Sequence, residues 1–355
     1  MKKETDAKRW LCIWVVLFAA GILGVSALTA WLDPFFHYHA PREGYYYALD
    51  NERAQNDGIL RHFDYDAVIT GTSMCQNFRT SEFDALFGTN AVKTCFAGAT
   101  YREISDRLER AFASSGVRYV VRSLDLSYLI SGTDEMRTDM GEYPEWLYND
   151  ALPDDIRYLY NLDVLSGYTL PMLAERLRGT PGGMTPFDEY AAWYRYKHFG
   201  TEEVQSAMDR SADSGQVAQK HMEEEDREKL HANLQQNILP QIREHPETTF
   251  FLFVPPVSVA FWKEQYLAGN ALYWIEALDE AMRLLLPYEN VRLFCFSADE
   301  SITMEPDNYC DNGHYGPWIN TMILESFYAD DAAYRVTEDN RESMIGRMKE
   351  LYAEP

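Results

Sequence analysis

Hydrophobic and polar positions divide this chain into three regimes. From Trp10 to Trp31 the run WLCIWVVLFAAGILGVSALTAW holds 22 residues without a charge. At about 1.5 Å per residue it would measure about 33 Å as a helix, enough to cross a hydrocarbon layer. Trp10 and Trp14 stand at one end and Trp31 at the other, as interfacial aromatics do. Residues 32–65 follow as an irregular, aromatic-rich stretch, which reads as a packed juxtamembrane collar. Beyond it, short apolar runs begin to alternate with amphipathic stretches.

The first compact run, Ala67-Val68-Ile69-Thr70, is bounded by Gly71 and reads as a strand. A short helix is expected over 81–87, closed by Gly88. Ala91-Val92-Lys93-Thr94-Cys95 gives a second strand and leads into Ala97-Gly98-Ala99. Thr100-Tyr101-Arg102-Glu103 then forms a capping box ahead of a helix whose apolar face is Ile104, Leu108 and Phe112. A third strand covers 119–124. The order resumes with a long charged helix over about 215–243, a strand at Phe250-Phe251-Leu252-Phe253-Val254, a helix at 271–285 and a fifth strand over 291–296. The last helix expected starts near Pro317, with Ile319, Met322, Ile323 and Phe327 on one face.

Strands alternating with helices predict an α/β fold built on a five-stranded parallel sheet. The residues between strands three and four, about 128–214, fit no sheet element. They are rich in Tyr and Trp, are broken by RGTPGG at 178–183, and read as a helical insertion. Their rings suit core packing, and they could also stack on sugars. The expected organisation is therefore a tail (1–9), a transmembrane anchor (10–31), the collar (32–65) and a domain (66–355) carrying the insertion.

Charge sharpens this picture. The chain has 32 basic and 56 acidic side chains, a formal net charge of −24. Lys2, Lys3, Lys8 and Arg9 lie with Glu4 and Asp6 ahead of the apolar run, so the remainder carries 28 basic against 54 acidic groups. Such a domain repels nucleic acid, and no basic stripe interrupts it. The basic residues before the run and Asp33 after it place the N-terminus in the cytoplasm and the domain outside, by the positive-inside rule. Cleavage near Val25-Ser26-Ala27 would export the domain equally. Cys12, Cys75, Cys95, Cys295 and Cys310 show no CxxC spacing, which gives no sign of a zinc site, and no cofactor is expected. His37 and His39 alternate as metal ligands might on a strand, but suit packing in the collar better. Glu223-Glu224-Glu225-Asp226 reads as a solvated helix face.

Three local features bear on chemistry. Ser73, in Gly71-Thr72-Ser73, follows the first strand and would stand at the carboxyl edge of the sheet, as a nucleophile or as a helix cap. Asp311, three residues before His314 across Asn312-Gly313, can fix the ring's tautomer and leave Nε2 free as a base. Gly98, after the second strand, allows close backbone approach and an amide directed at an oxyanion.

Together these features resemble the SGNH/GDSL hydrolase superfamily. GTSMCQNF followed by SEFDALFG, the Ala-Gly-Ala-Thr turn, LDLSYLI and NYCDNGHYGPWIN carry the likeness, and the anchor ahead of DPFFHYH resembles membrane-tethered members from Gram-positive bacteria. Teichoic-acid D-alanine-transfer and alginate O-acetylation proteins belong to this branch. The resemblance implies a three-layer α/β/α flavodoxin-like fold, Ser73 as nucleophile, and a His314–Asp311 pair that activates it. It further implies an oxyanion hole from the Ser73 and Gly98 amides plus an asparagine at the edge of strand three. That place holds Asp125, whose ionised form would oppose an oxyanion unless protonated or turned away, so Asp125 is assigned to the substrate site and Asn77 stands in for the missing donor. If Ser73 and Asp311 meet, their neighbours Cys75 and Cys310 could approach closely enough to bond.

The expected activity is extracytoplasmic acyl transfer, O-acetyl above all, to a cell-envelope polysaccharide or teichoic-acid-like acceptor, with a membrane-bound O-acyltransferase as partner. A carbohydrate esterase using the same three residues and a non-catalytic adaptor are the alternatives.

Overall fold

The structure is a computed structural model of the chain and describes residues 2–114, 116–139, 143–205 and 217–353. Residues 140–142 and 206–214 of the expected insertion, and 215–216 of the expected long helix, lie outside the described residues. The chain divides into two compact units, one from residues 1–63 with 141–186, the other from 64–140 with 187–355. The segment expected as an insertion is therefore shared between them.

The second unit is an α/β domain. Its strands are β1 (Ala67–Thr70), β2 (Ala91–Lys93), β3 (Tyr119–Ser123), β4 (Thr249–Val254) and β5 (Val291–Cys295), paired in parallel in the order β2-β1-β3-β4-β5. This is the flavodoxin-like order, in which the chain reverses direction across the sheet between β1 and β3. Side chains alternate across it. Ile69, Val121, Phe251 and Phe294 join one buried cluster, where Phe251 stacks on Phe327 of the helix Pro317–Ala329 at 5.0 Å. On the other face Phe250 meets Phe112, and the Cys295 thiol meets Met348. Helices thus cover both faces, giving three layers.

Local signals set several boundaries. The helix Thr80–Phe87 ends on Gly88 in the left-handed conformation, which releases its last carbonyls to the cap. At the next helix, Tyr101–Ser114, the capping box is complete: Glu103 Oε2 accepts from the Thr100 amide at 2.8 Å, and Thr100 Oγ1 accepts from the Glu103 amide at 3.3 Å. Glu103 Oε1 also accepts from the Arg137 amide at 2.9 Å.

Two expectations are corrected. The long helix over 215–243 begins only at Glu224 and divides into Glu224–Asn237 and Leu239–Glu244, because Pro240 offers no amide hydrogen and Ile238 leaves helical geometry. The helix from Pro317 is not the last. Residues 334–336 run antiparallel along β5, and a helix follows at Arg341–Tyr352. Its apolar face is only Ile345, Met348 and Tyr352 in a polar segment, too sparse to stand out.

The first unit holds the apolar helix, Lys2–Leu32, whose stretch Ala7–Leu32 is long and apolar enough to cross a membrane. Asp33 follows and gathers the chain: its carboxylate accepts from the amides of His37, Tyr38 and His39 and from the Tyr158 hydroxyl. Both collar histidine rings are occupied by packing partners, His37 between the Leu147 carbonyl and Asp155, His39 between the Ala40 and Trp31 carbonyls. A two-residue parallel ladder, Tyr46–Tyr47 with Gly183–Met184, ties the ends of the unit together.

Replacing Glu103 with Ala leaves the buried Thr100 amide and the partly buried Arg137 amide without an acceptor. It should destabilise the second unit by about 2 kcal/mol, read as a lower urea midpoint at unchanged slope.

Candidate active site

The reversal between β1 and β3 falls at the carboxyl ends of those strands, where open α/β sheets bind ligands, and the expected residues converge there. After Thr70 the chain turns through Gly71, at φ +137°, into the short helix Ser73–Gln76. A Cβ at Gly71 would stand 2.7 Å from both Cys75 Sγ and Ser123 Oγ, so the turn admits no side chain. Thr72, not Ser73, caps the helix: its hydroxyl oxygen accepts from the Met74 amide at 3.3 Å. Ser73 is left available for other contacts.

Its Oγ lies 2.8 Å from His314 Nε2, across 241 positions of chain. On the far side of the ring, Nδ1 lies 2.9 Å from Asp311 Oδ2 and 3.1 Å from Oδ1. Asp311 Oδ1 also accepts from the amides of Gly313 and His314, both at 2.8 Å, which folds the Asp-Asn-Gly-His turn around its own carboxylate. Burial pushes the Asp311 carboxyl up, but the His314 ring and those two amides outweigh it and hold it at about 2.

The serine and histidine loops are tied together. The Met74 carbonyl accepts from the Tyr315 hydroxyl at 3.1 Å and from Asn320 Nδ2 at 3.2 Å. Ser258 holds the Asn312 carbonyl at 2.6 Å, and Lys93, fully buried, donates to the carbonyls of Gln76 and Phe78 at the far end of the serine helix. A third element enters from 193–196: Trp193 Nε1 donates to the Ser73 carbonyl at 2.9 Å, and its ring meets the His314 ring edge-on at 5.2 Å. Phe199 stacks beyond Trp193, and the half-exposed Trp318 meets Phe199, so an aromatic step leads away from the histidine.

The Ser73 and Gly98 amides have no acceptor among the described residues. Gly98 sits at φ +63°, its carbonyl accepts from the Tyr128 hydroxyl at 2.8 Å, and the Arg137 guanidinium occupies the space a Cβ would fill. Asn77 is buried at the end of the serine helix. Its Oδ1 accepts from the Tyr194 amide at 3.3 Å, and its Nδ2 has no acceptor among the described residues.

Asp125 is turned into the protein. Oδ1 accepts from the Thr72 hydroxyl at 2.8 Å and Oδ2 from the Ser123 hydroxyl at 2.5 Å. Burial raises its carboxyl above the usual range, against those two hydrogen bonds and the nearby Arg122 and His314. Arg122 is itself buried on β3 and lies over the Tyr101 ring at 5.0 Å. Desolvation lowers its guanidinium to about 10 despite Tyr101 and Asp125. The anticipated bridge between Cys75 and Cys310 is not formed: both are free thiols, with Cys310 pushed up to about 12 by burial and by Asp311.

Sequence reading did not single out Thr72, Ser123, Arg122, Lys93 or Trp193. The polar residues among them looked like ordinary strand and turn positions, and Trp193 was pooled with the other aromatics of its segment. A cation inside each of two otherwise apolar strands, Lys93 and Arg122, was the available signal.

No protein-family profile matches the chain, and no curated protein matches it. Among solved structures it is similar to a chain from Streptococcus pneumonia provisionally described as a platelet activating factor. The two share 12% identity over 80% of this chain and 91% of that one, with a TM-score of 0.37. A likeness that remote assigns no chemistry here.

Two outcomes follow from this geometry. Gly71→Ala should destabilise the domain by about 2–3 kcal/mol and displace Ser73, because strain at positive φ adds to contact with two buried side chains. A urea melt together with a serine-reactive probe reads both effects. Asp311 lies lower in the folded chain, at about 2, than its unfolded value of about 3.9. Its ionised form therefore contributes stability above pH ~4 that is lost as pH falls through ~2. The stability difference between the natural chain and Asp311→Asn should be flat down to about pH 4.5 and shrink below it.

Proposed function

We propose that this chain is a membrane-anchored, SGNH-type serine acyltransferase acting on a hydroxyl-bearing cell-envelope polymer. The observation that carries the reading is the relay from Ser73 Oγ through the His314 ring to Asp311, at 2.8 Å and 2.9 Å. A hydroxyl within hydrogen-bond reach of an imidazole, whose second nitrogen is held by an ionised carboxylate, is the arrangement that activates a serine nucleophile.

In the first half-reaction Ser73 Oγ bonds to the carbonyl carbon of an activated acyl donor as Nε2 of His314 takes the hydroxyl proton. The carbonyl oxygen becomes an oxyanion that the Ser73 and Gly98 amides stabilise. The bond to the leaving group then breaks, and His314 returns the proton to that group, leaving an acyl-serine. In the second half an acceptor hydroxyl gives its proton to His314 and attacks the acyl carbon, and Ser73 leaves with the proton restored. Asp311 stays ionised throughout, holding the tautomer and balancing the imidazolium. Asp125 serves this cycle by anchoring Thr72, and so the turn that aims Ser73, rather than by touching the acyl group.

The aromatic step at Trp193, Phe199 and Trp318 favours an acceptor with sugar rings, whose apolar faces stack on aromatic edges. An acidic chain favours a neutral or amino-sugar acceptor over a strongly anionic one. The apolar helix, basic before Trp10, supports an external domain held at the membrane, where a multi-pass O-acyltransferase could deliver acyl groups.

A fluorophosphonate probe should label the natural chain at Ser73 and leave Ser73→Ala unlabelled. Labelling that persists in Ser73→Ala overturns the assignment. Asp311→Asn should keep the fold at neutral pH and lower acyl turnover on the order of 10³–10⁴-fold. Acyl release from a simple acetyl ester should accelerate on addition of a neutral oligosaccharide, with acetate recovered on the sugar. Release to water alone at an unchanged rate would assign the chain to hydrolysis instead.

A further inference from the structure

Within the first unit, an apolar surface lies beside the anchor helix. Leu152, Ile156, Leu162, Leu170 and Leu177 are 79, 62, 75, 47 and 80% exposed. Outside the anchor helix, every large Leu or Ile so exposed among the described residues falls in this one run of chain. Water-facing loops and helices do not concentrate aliphatic side chains in this way unless something apolar covers them. Leu162–Val164, a π-turn at Leu165–Thr169 and Leu170–Arg178 form a continuous helical rod, and Leu162, Leu170 and Leu177 recur on it at roughly two-turn spacing.

The inner side of this segment supplies the second observation. The Ser26 hydroxyl donates to the Tyr160 hydroxyl at 3.2 Å, Thr29 Oγ1 lies 3.5 Å from Thr169 Oγ1, and both threonines are buried. Counting from Trp10 at about 1.5 Å per residue, Ser26 lies about 24 Å and Thr29 about 29 Å along the anchor. Those depths fall at the outer boundary of a hydrocarbon layer of about 30 Å. The segment that meets the anchor there carries the exposed leucines. It is nearly neutral, with Asp154, Asp155, Asp163 and Glu175 against Arg157, Arg176 and Arg178 in a chain of −24, so its net charge does not oppose approach to a lipid surface.

We infer that residues 152–178 form a membrane-embedded interfacial element, with Leu152, Ile156, Leu162, Leu170 and Leu177 immersed in the outer leaflet around the anchor. The inference rests on the reading of residues 10–31 as a membrane span. Apolar area, not charge, drives this immersion, so zwitterionic lipid suffices. The segment would then add a second hold on the bilayer beside the anchor helix.

The test uses the full chain in phosphatidylcholine nanodiscs with Cys12→Ser, the other four cysteines being buried. A bimane label is placed through Leu170→Cys or Leu177→Cys, with Val16→Cys as the lipid reference and Tyr196→Cys, 85% exposed, as the aqueous reference. Brominated phosphatidylcholine should quench the labels at 170 and 177 comparably to the label at 16. Aqueous iodide should quench them several-fold less than the label at 196. Iodide quenching equal to that at 196, with the label at 16 still lipid-quenched, overturns the inference and leaves the anchor standing. Protection from both quenchers assigns the face to a protein contact and overturns it as well. Loss of lipid quenching at 16 removes anchor and inference together.

Discussion

The hydrogen bond between Ser73 and His314 joins residues 241 positions apart, and the candidate chemistry depends on it. Neither residue has a local reason to find the other. Parallel pairing places the carboxyl ends of β1 and β5 at one rim, which brings the two loops near but not into register. The Met74 carbonyl completes the alignment, because Tyr315 and Asn320, just after the histidine, both donate to it. A two-pronged tie to one backbone oxygen holds the serine helix against the histidine loop.

Around that contact lie buried charges unusual in a parallel sheet, whose covered strands are normally apolar on both faces. Lys93 on β2 closes the far end of the serine helix, and Arg122 on β3 stands next to Asp125. Asp125 holds the Thr72 hydroxyl, and Thr72 caps the helix that presents Ser73. The carboxylate that seemed misplaced for an oxyanion hole is thus an anchor of the turn that presents Ser73. Its two oxygens are occupied by hydroxyls, which answers the electrostatic objection by geometry.

The aromatic segment between β3 and β4 has two destinations. Trp193 belongs with the sheet domain, where it closes over Ser73 and His314. Tyr158, Tyr160 and Tyr168 belong with the apolar helix and the collar, where Asp33 organises the turn by accepting four hydrogen bonds. Composition alone could not separate them, since a tyrosine supplies the same ring and hydroxyl in either setting.

By itself the sequence determined the membrane-length helix, the five strands, the parallel class and the Asp-x-x-His turn. Each of these is written in local periodicity, length or adjacency: an uncharged run of 22 residues, apolar stretches bounded by turn residues, a carboxylate three positions from a ring. Tertiary structure decided what depended on distant partners. It set which hydroxyl caps and which meets the histidine, where Asp125 points, which aromatics reach the histidine, and which leucines stay uncovered. Those outcomes turn on hydrogen bonds and contacts between residues tens to hundreds of positions apart, for which a linear pattern carries no distance.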